Sequence, residues 1–341
     1  MAIVGHFSSL AELRKLVISE MIPGVIQQTY EEGQLLGVLP GVQLNSRSLI
    51  YNREDVLPSA AWYDIHEQIS FTADVTLVQK EVWLKRVIRQ DLLDEFVMQT
   101  YQNPNMYRLE ILKSLTRGVM RTVEDTLIYG SGSTEASTEF DGLDKLITVA
   151  GGDAFTAATN LQSFDMGGST SPLTFRALRQ LINAVRPRAT FLLMTRTMRD
   201  TLAAVSFEKG IKLSDANPLG RISSTLDQFG KMIDFFDGVP IIISDYLLQE
   251  NDNTGGKDSG NDSGLSSIYA VRTGAIADGG LSLVVGGATG SGDFFKMTPL
   301  GVQSGYDAEG IRLSAYVTLA LGSSRALGRI HSIQEVGTII G

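Results

Sequence analysis

The sequence predicts a mixed α+β protein in which a two-stranded β-arm and one long helix accompany a larger region of alternating helices and buried strands. Three observations carry this prediction. Residues 65–80 alternate between apolar and polar side chains, as half-buried β-strands do. Residues 104–129 repeat apolar side chains every three or four positions, which is the helical period. From about residue 141 to residue 290, short buried runs alternate with helical segments.

The β-arm is predicted from the stretch IHEQISFTADVTLVQK, whose apolar side chains fall on odd-numbered positions: Ile65, Ile69, Phe71, Ala73, Val75 and Leu77. Upstream, SLIYNRED (48–55) can supply a partner strand, and downstream VWLKRVI (82–88) can continue the arm. Two or three strands are marginally stable in water by themselves. The apolar face must therefore lie against the chain's own domain or against another molecule.

Three helical segments are predicted in the first half of the chain. An amphipathic helix capped by Ser9 can pack on the chain's own core or on a neighbour. A second helical stretch begins at Asp91, and the longest helix begins at Pro104. Gly130 ends that helix as a C-cap glycine does.

Beyond residue 141 the pattern predicts alternating elements. A helix opens at Ser171-Pro172 and closes at Pro187, and another covers 197–205. Strands are predicted at 190–194, 238–244, 267–271, 281–285, 293–297 and 311–321. The polar, glycine-rich segment 251–264 is predicted to be a loop.

Composition and charge exclude several classes of protein. The 341 residues contain no cysteine, so disulfides, thiolate zinc sites and cysteine nucleophiles are excluded. No run approaches the ~18 apolar residues that a membrane span needs. A net charge of −9 argues against binding driven by phosphate neutralisation. Six arginines between Arg176 and Arg199 leave two alternatives, ordinary surface ion pairing or a face for phosphates or an acidic neighbour.

No catalytic, cofactor-binding or metal-binding residue is predicted. The glycines of VVGGATGSGDFF match neither a dinucleotide nor a P-loop spacing, so a hairpin turn is expected there. The aspartates of the 251–264 loop lack the final glutamate of a calcium loop, with Tyr269 in its place. None of His6, His66 and His331 has a neighbouring Asp or Ser in a recognisable triad motif.

The order of these features resembles the major capsid proteins of tailed bacteriophages, whose fold is named after phage Hong Kong 97. Residues 46–83 (SRSLIYNREDVLPSAAWYDIHEQISFTADVTLVQKEVW) resemble the extended loop that reaches over an adjacent subunit. YRLEILKSLTRGVMRTVEDTLIYGSGS resembles the long spine helix, and EFDGLDKLI resembles the stretch after it, although its first glycine is missing. FFDGVPIIISDYL resembles an axial-domain strand, while DFFKMTPLGVQ and IRLSAYVTLALG resemble the return into the peripheral domain.

The resemblance implies an α+β capsid fold with an N-terminal arm, an extended β-loop, a long spine helix, a peripheral domain and an axial domain. The implied ranges are 1–44 for the arm, 45–87 for the extended loop, 88–140 and 300–341 for the peripheral domain, and 141–299 for the axial domain. The extended loop is expected to contact a neighbouring subunit through Arg53, Glu54, Asp55, Ile69, Phe71, Val75 and Leu77.

The implied function is that of a major capsid protein, not an enzyme. Copies of the chain would form the hexamers and pentamers of an icosahedral shell, assembled in the host cytoplasm and enclosing double-stranded DNA without sequence specificity. Scaffold, portal and decoration proteins are further expected partners, and a membrane is not. Two alternatives remain open: an encapsulin shell around a protein cargo, and an α/β enzyme with a nonlocal active site.

Overall fold

The structure is a computed structural model, and it describes residues 34–56, 60–69, 76–100, 104–132, 135–147, 162–166, 172–208, 222–226, 232–247, 265–287, 294–303 and 305–334. Its helices are α1 (Leu35–Val38), α2 (Glu95–Thr100), α3 (Pro104–Tyr129), α4 (Leu143–Ile147), α5 (Phe175–Ala184) and α6 (Arg196–Glu208). Its strands are β1 (Gly41–Leu44), β2 (Ser48–Val56), β3 (Thr76–Trp83), β4 (Lys85–Asp94), β5 (Ser163–Asp165), β6 (Phe191–Met194), β7 (Ile222–Leu226), β8 (Met232–Phe236), β9 (Val239–Ile243), β10 (Leu265–Val271), β11 (Leu281–Gly286), β12 (Phe295–Val302), β13 (Ala308–Leu321) and β14 (Leu327–Gln334). The predicted α+β class is confirmed.

The first sheet is organised around β13, a strand of 14 residues. Strand β4 pairs antiparallel with residues 308–317 along one side of β13. Along the other side, β12 pairs with 309–315 and β11 with 317–321. Strand β1 extends the sheet by parallel pairing with β11. Because β11 and β12 are both antiparallel to β13, they lie end to end and run in the same direction.

The hairpin turn predicted in the glycine cluster is therefore wrong. A hairpin would place β11 and β12 side by side in opposite directions. The connection between Gly286 and Phe295 instead joins two collinear strands on one side of β13. Glycines indicate that a strand ends, but they do not show which strand the next one pairs with.

Helix α3 confirms the predicted long helix from its first residue to its last. It begins at Pro104, and the N–H of Gly130 donates to the carbonyl of Thr126 at 2.9 Å. A Cβ at position 130 would lie 2.3 Å from the carbonyl oxygen of Phe140, so a larger residue could not fit there without moving the chain. The buried stripe of α3 packs with the inner side chains of β13 in one core: Leu115, Val119, Val123, Leu127, Ile311, Leu313, Ala315 and Val317.

The second sheet has the order β5–β14–β10–β6–β9–β8–β7. Helix α5 packs on β14, and its N-cap is Thr174, whose hydroxyl oxygen accepts from the N–H of Ala177 at 3.1 Å. The helix thus starts three residues later than Ser171-Pro172 predicts. The six strands predicted beyond residue 190 are confirmed to within a few residues at each end.

A fully buried arginine lies where β14 passes α4. Nη1 of Arg329 pairs with Oδ1 of Asp144 on α4. Its Nε and Nη2 each donate to the hydroxyl of Ser267 at 3.1 Å. The guanidinium carbon lies 5.3 Å from the ring centroid of Tyr269. This polar group ties α4, β10 and β14 together within the core.

Two further predictions of secondary structure are wrong. Residues 65–69 form no regular strand, with a turn at Ile65 and His66, and the described part of the strand begins only at Thr76. Residues 91–94 belong to β4 and are not helical, because β13 supplies pairing partners as far as Asp94. The helix predicted from Ser9 and the loop predicted at 251–264 lie outside the described residues.

The predicted division into a peripheral and an axial domain stays a prediction. Two strands join the sheet of the other predicted range. Strand β11, from the range assigned to the axial domain, lies in the first sheet, which packs against α3. Strand β14, from the range assigned to the peripheral domain, lies in the second sheet.

A buried carboxyl attaches the segment around α1 to helix α3. Oε1 of Glu124 accepts from the N–H of Leu36 at 3.0 Å. Its Oε2 is buried and has no hydrogen-bond partner among the described residues. Burial raises the pKa of Glu124, and the hydrogen bond from Leu36 only partly opposes that shift. Ionisation of this carboxyl is therefore unfavourable in the folded chain.

We expect Glu124→Gln to flatten the dependence of Tm on pH. Because the pKa of Glu124 is higher in the folded than in the unfolded chain, its contribution to stability is lost as the pH rises above the ordinary glutamate range. Between mildly acidic and neutral pH, the Tm of the parent should fall relative to that of the variant, because only the parent has to ionise a buried carboxyl. Thermal unfolding at a series of pH values measures this shift. Asp125→Asn, which removes one charge from the adjacent position, is the control, and parallel curves for parent and Glu124→Gln would contradict the prediction.

Candidate assembly surfaces

Strands β2 and β3 form an antiparallel hairpin of their own, which confirms the partner strand predicted at 48–55. Residues that face each other across an antiparallel pair lie on the same side of the ribbon. One face of the hairpin carries Leu49, Tyr51 and Arg53 opposite Val82, Lys80 and Val78. The other face carries the positions Ile50, Asn52 and Glu54 opposite Glu81, Gln79 and Leu77.

The first of these faces turns toward the chain's own sheets. The hydroxyl of Tyr51 donates to the carbonyl of Leu321 at 2.7 Å. Nη2 of Arg53 donates to the same carbonyl at 2.8 Å, and its Nε donates to the carbonyl of Gly322 at 3.0 Å. Both acceptors lie at the end of β13. The hairpin is therefore held by side-chain hydrogen bonds to one short stretch of backbone.

The base of the hairpin is held by the loop that follows α3. Lys85 is buried, and its ammonium donates to the carbonyls of Glu135 at 3.1 Å and Ser137 at 2.7 Å. On the other side of the base, Arg47 forms an ion pair with the carboxylate of Glu135 at 2.5 Å. Residues flanking both strands of the hairpin thus contact the same loop.

The opposite face and the described tip carry exposed apolar side chains. Ile50 and Leu77 are 53% and 64% exposed, and Trp62 at the tip is fully exposed. Ile65 and Ile69 are also mostly exposed. Scattered apolar side chains on a surface are ordinary, but several on one projecting element indicate a contact surface.

The residues predicted for a subunit interface are placed as follows. Ile69 lies in the irregular tip and Leu77 on the exposed face of β3. Phe71 and Val75 lie outside the described residues. Glu54 and Asp55 lie in β2, with Glu54 opposite Leu77. The guanidinium of Arg53 is bound within its own chain. Their role at an interface stays a prediction.

A second apolar surface, which the sequence analysis missed, lies on the first sheet. Residues 86, 88, 90 and 92 of β4 lie opposite residues 316, 314, 312 and 310 of β13. On this outer sheet face (Ile88, Leu92 and Tyr316) the three side chains are each more than a third exposed. Between them, Arg312 donates to Oε1 of Gln90 at 3.1 and 3.3 Å. The available signal was the apolar pairs 87–88 and 92–93, which place one residue on each face of a strand.

A cavity of about 270 Å³, lined by both polar and apolar side chains, lies under the base of the hairpin. Lys80, Lys85 and Lys145 line it together with Asp141. Oδ1 of Asp141 is buried and has no hydrogen-bond partner among the described residues. Burial raises the pKa of Asp141, and the charges of the three lysines oppose that shift. The cavity is therefore a gap in the packing between the hairpin base and the domain, lined by both charged and apolar side chains.

Comparison with solved structures places this geometry in a known architecture. The chain is similar over 97% of its length to 97% of the holo-SrpI encapsulin from Synechococcus elongatus PCC 7942, with a TM-score of 0.67 and 17% identity. It is similar over 95% of its length to 98% of the capsid chain of a native GTA particle, with a TM-score of 0.60 and 12% identity. For the capsid of Myoviridae phage XM1 the values are 96% and 100%, with a TM-score of 0.59 and 12% identity. The chain has the Hong Kong 97-type capsid fold.

The capsid fold is identified by structure and not by sequence. No protein-family model matches the chain, and no curated protein sequence matches it significantly. At these identities, what the chains share is the fold.

Half of the arginine cluster of this capsid fold is ion-paired. Three of its arginines form ion pairs with aspartates that are distant in sequence, and one of the three also pairs with the adjacent aspartate. The pairs are Arg179–Asp237 at 3.5 Å, Arg196–Asp245 at 3.7 Å, Arg199–Asp234 at 3.5 Å and Arg199–Asp200 at 2.6 Å. Of the two alternatives, these contacts favour ordinary surface ion pairing.

The described histidines form no Ser-His-Asp relay. Nδ1 of His331 lies 3.0 Å from the hydroxyl of Ser332 and 3.7 Å from Oδ1 of Asp165, so one ring nitrogen makes both contacts, whereas a relay needs both ring nitrogens. His66 is exposed in the tip of the hairpin. His331 is half-buried on β14, and burial, together with the charge of Arg329, lowers its pKa. Across the described stretches there is no group of three or more side chains that could hold a metal ion. None of the helices in the described stretches has the length and apolar character needed to cross a bilayer.

Proposed function

We propose that the chain is the major structural protein of an icosahedral shell, a virion capsid that encloses double-stranded DNA. The observation that carries this proposal is the projecting hairpin, whose apolar side chains at Ile50, Trp62, Ile65, Ile69 and Leu77 are exposed in the single chain. The capsid fold supports it. In this proposal the chain has no enzymatic activity, and its copies form hexamers and pentamers in the host cytoplasm.

Each copy would use two different surfaces for assembly, the hairpin and the outer sheet face. The exposed face and tip of the hairpin would lie on the outer sheet face of a neighbouring copy, covering Ile88, Leu92 and Tyr316. Such a contact joins two different surfaces, so it propagates from copy to copy and closes into a ring when the rotation permits. Many modest contacts then add up, because each copy takes part in two of them.

The net charge of the chain supports a shell that encloses DNA without binding its phosphates tightly. The net charge is −9, and three of the six clustered arginines pair with aspartates: Arg179, Arg196 and Arg199. Neutralisation of many phosphates would need a basic surface. DNA would therefore be retained by enclosure, without sequence specificity, and its entry would depend on separate proteins such as a portal and a scaffold.

An encapsulin shell around a protein cargo is the second candidate. The observation in its favour is the similarity to the holo-SrpI encapsulin at a TM-score of 0.67. The two candidates share the self-assembling shell and differ in the content. An α/β enzyme has less support, because Ser332 and Asp165 both contact the same ring nitrogen of His331, which leaves no relay from the carboxylate to the hydroxyl.

The deciding experiment is to express the chain, separate it on a sizing column and image the fractions by negative stain. A shell protein elutes as capsomers or as megadalton particles with closed outlines. Nuclease-protected DNA in particles from infected cells supports the capsid, and an enclosed protein supports the encapsulin. A stable small oligomer that never yields particles would contradict both.

We expect the shell to contain no covalent links between subunits. The stretch from Asn45 to Gln79 contains no lysine, and the chain contains no cysteine. An isopeptide bond from the hairpin tip and a disulfide are therefore both chemically excluded. Particles boiled in detergent should give a single band near 37.0 kDa on a denaturing gel. A ladder of multiples of that mass would show that this expectation is wrong.

A further inference from the structure

We propose that Tyr51 and Arg53 are positioning residues that fix the direction in which the hairpin leaves its domain, and thereby the curvature of the shell. Together with the carbonyls of Leu321 and Gly322 they form what we call the hairpin lock. The effect on curvature rests on the proposed shell function. The lock itself is a property of the single chain and can be measured in it.

The donors of the lock converge from two points of one strand. Tyr51 and Arg53 are two residues apart on β2, so their side chains leave the strand about 7 Å apart on the same face. Tyr51 reaches the carbonyl of Leu321 at 2.7 Å. Arg53 reaches that carbonyl at 2.8 Å and the next one at 3.0 Å. Two separated attachment points fix a direction, whereas a single one would leave the strand free to swing.

The acceptors of the lock lie on a stretch of backbone that cannot easily move. The N–H of Gly322 donates to the carbonyl of Gly280, and that of Ser323 donates to the carbonyl of Gly279, both at 3.0 Å. A Cβ at position 322 would lie 2.3 Å from the carbonyl oxygen of Ile276, so the two turns are in close contact. This stretch also links β13 in the first sheet to β14 in the second. The hairpin is thus bound to the segment that connects the two sheets.

Packing on this face is interrupted beside the lock. A cavity lies there, lined by Tyr51, Arg53 and Lys80 and by apolar side chains such as Val82 and Leu319. Side chains that line a cavity lack contacts on one side, so packing holds the hairpin less strongly here than a closely packed contact would. The direction of the hairpin is therefore set by a few hydrogen bonds, in addition to the contacts of Lys85 and Arg47 at its base.

The consequence for assembly follows from geometry. If the hairpin tip docks on a neighbour, its direction sets the angle between the two copies. A small angular change, repeated around a shell, changes the diameter or prevents closure. Subunits with a released hairpin would then form particles of several sizes.

The test uses the double variant Tyr51→Phe/Arg53→Gln in the full chain. Since the chain has no native cysteine, Gln79→Cys on the hairpin and Ser114→Cys on α3 provide unique sites for spin labels. We expect a single narrow distance in the unassembled fraction of the parent and a broad distribution in the variant. Loss of three hydrogen bonds should lower the ratio of locked to released hairpins about a hundredfold, at about fivefold for each bond.

Asn52→Ser is the matched control, because Asn52 lies between the two lock residues and points to the other face. It should leave the distance distribution narrow. Arg53→Lys keeps the charge but cannot reach both carbonyls in the same way, so it should broaden the distribution partially even if the double variant fails to fold. Unchanged distances in both Arg53→Lys and a folded double variant would overturn the lock.

Particle diameters test the second half of the proposal. The parent and Asn52→Ser should give one diameter by negative stain, and the lock variants should give a spread or open fragments. Broadened distances with uniform particles would overturn the link to curvature. If the parent forms no particles, the shell function fails, while the distance measurement still decides whether the lock exists.

Discussion

Leu77→Asp is expected to abolish particles while leaving the chain folded. Leu77 is 64% exposed on the outward face of the hairpin, so a carboxylate there costs little in the single chain. In the proposed contact the same carboxylate would be buried on a neighbour without a partner, at a cost on the order of several kcal/mol for each contact. Because each copy takes part in two such contacts, the yield of closed particles should fall at least about a hundredfold. Sizing chromatography and negative stain measure it, and circular dichroism checks the fold.

Two sets of controls accompany this prediction. One tests whether the charge at position 77 causes the effect, and the other tests which residues lie on the apolar face of the strand. Leu77→Met keeps the apolar surface and should assemble as the parent does. Phe71→Asp and Thr72→Asp test the alternation seen in the sequence, which places Phe71 on the apolar face and Thr72 on the polar one. Phe71→Asp should prevent assembly and Thr72→Asp should be mild. Normal particles from Leu77→Asp would contradict the proposed contact, and equal behaviour of the other two would contradict the register.

Arg329→Met is expected to destabilise the fold by about 3–5 kcal/mol, the usual effect of removing one partner of a buried ion pair. The change removes the partner of Asp144 in the core and the two hydrogen bonds to Ser267. It also removes the contact of the guanidinium with Tyr269. Urea denaturation followed by tryptophan fluorescence measures the loss of free energy of unfolding.

The double variant Arg329→Met/Asp144→Leu is the matched control. With both charges removed, apolar side chains replace the pair, and most of the stability should return. Arg325→Met, at a surface arginine near the start of β14, should change the free energy of unfolding by less than about 0.5 kcal/mol. Equal losses in the single and the double variant would show that the contribution is packing and not the pair.

Local signals in the sequence predict the elements that local physics determines. Pro104 and Gly130 mark both ends of α3, because proline suits the first helical turn and glycine the position after the last. The run at 48–55 becomes β2, and the buried runs of the second sheet become strands. The order of the elements indicated the capsid fold, although no single motif did.

The errors arise where a distant strand decides the outcome. Residues 91–94 became strand because β13, more than two hundred positions away, extends to meet them. The alternation at 65–69 indicates two faces, but the described residues supply no partner there, so no strand forms within the chain. Strand β14 was missed because Arg329 and His331 interrupt its apolar pattern, and only the fold shows that Asp144 and Ser267 satisfy the arginine.

The candidate assembly surfaces also differ in how far the local sequence predicts them. The apolar side chains of the hairpin are readable from their spacing, but the receiving surface needs β4 and β13 together. The hairpin lock was invisible in the sequence, since its acceptors are backbone carbonyls, and any residue carries one. Arg53 was predicted as an interface residue from its charge alone, whereas its direction toward Gly322 depends on the register of β2 with β3.

The placement of β13 and β14 has a consequence for synthesis on the ribosome. Strand β13 lies between β4 and the β11–β12 row, and β14 lies between β5 and β10, so neither sheet is continuous until the last tenth of the chain has emerged. Pairings between distant segments form slowly, because the intervening chain must first be brought together. A nascent or truncated chain therefore lacks the outer sheet face, and its hairpin has no backbone at 321–322 to bind. In the proposed shell, incomplete copies would therefore be unable to make the contact between hairpin and sheet face.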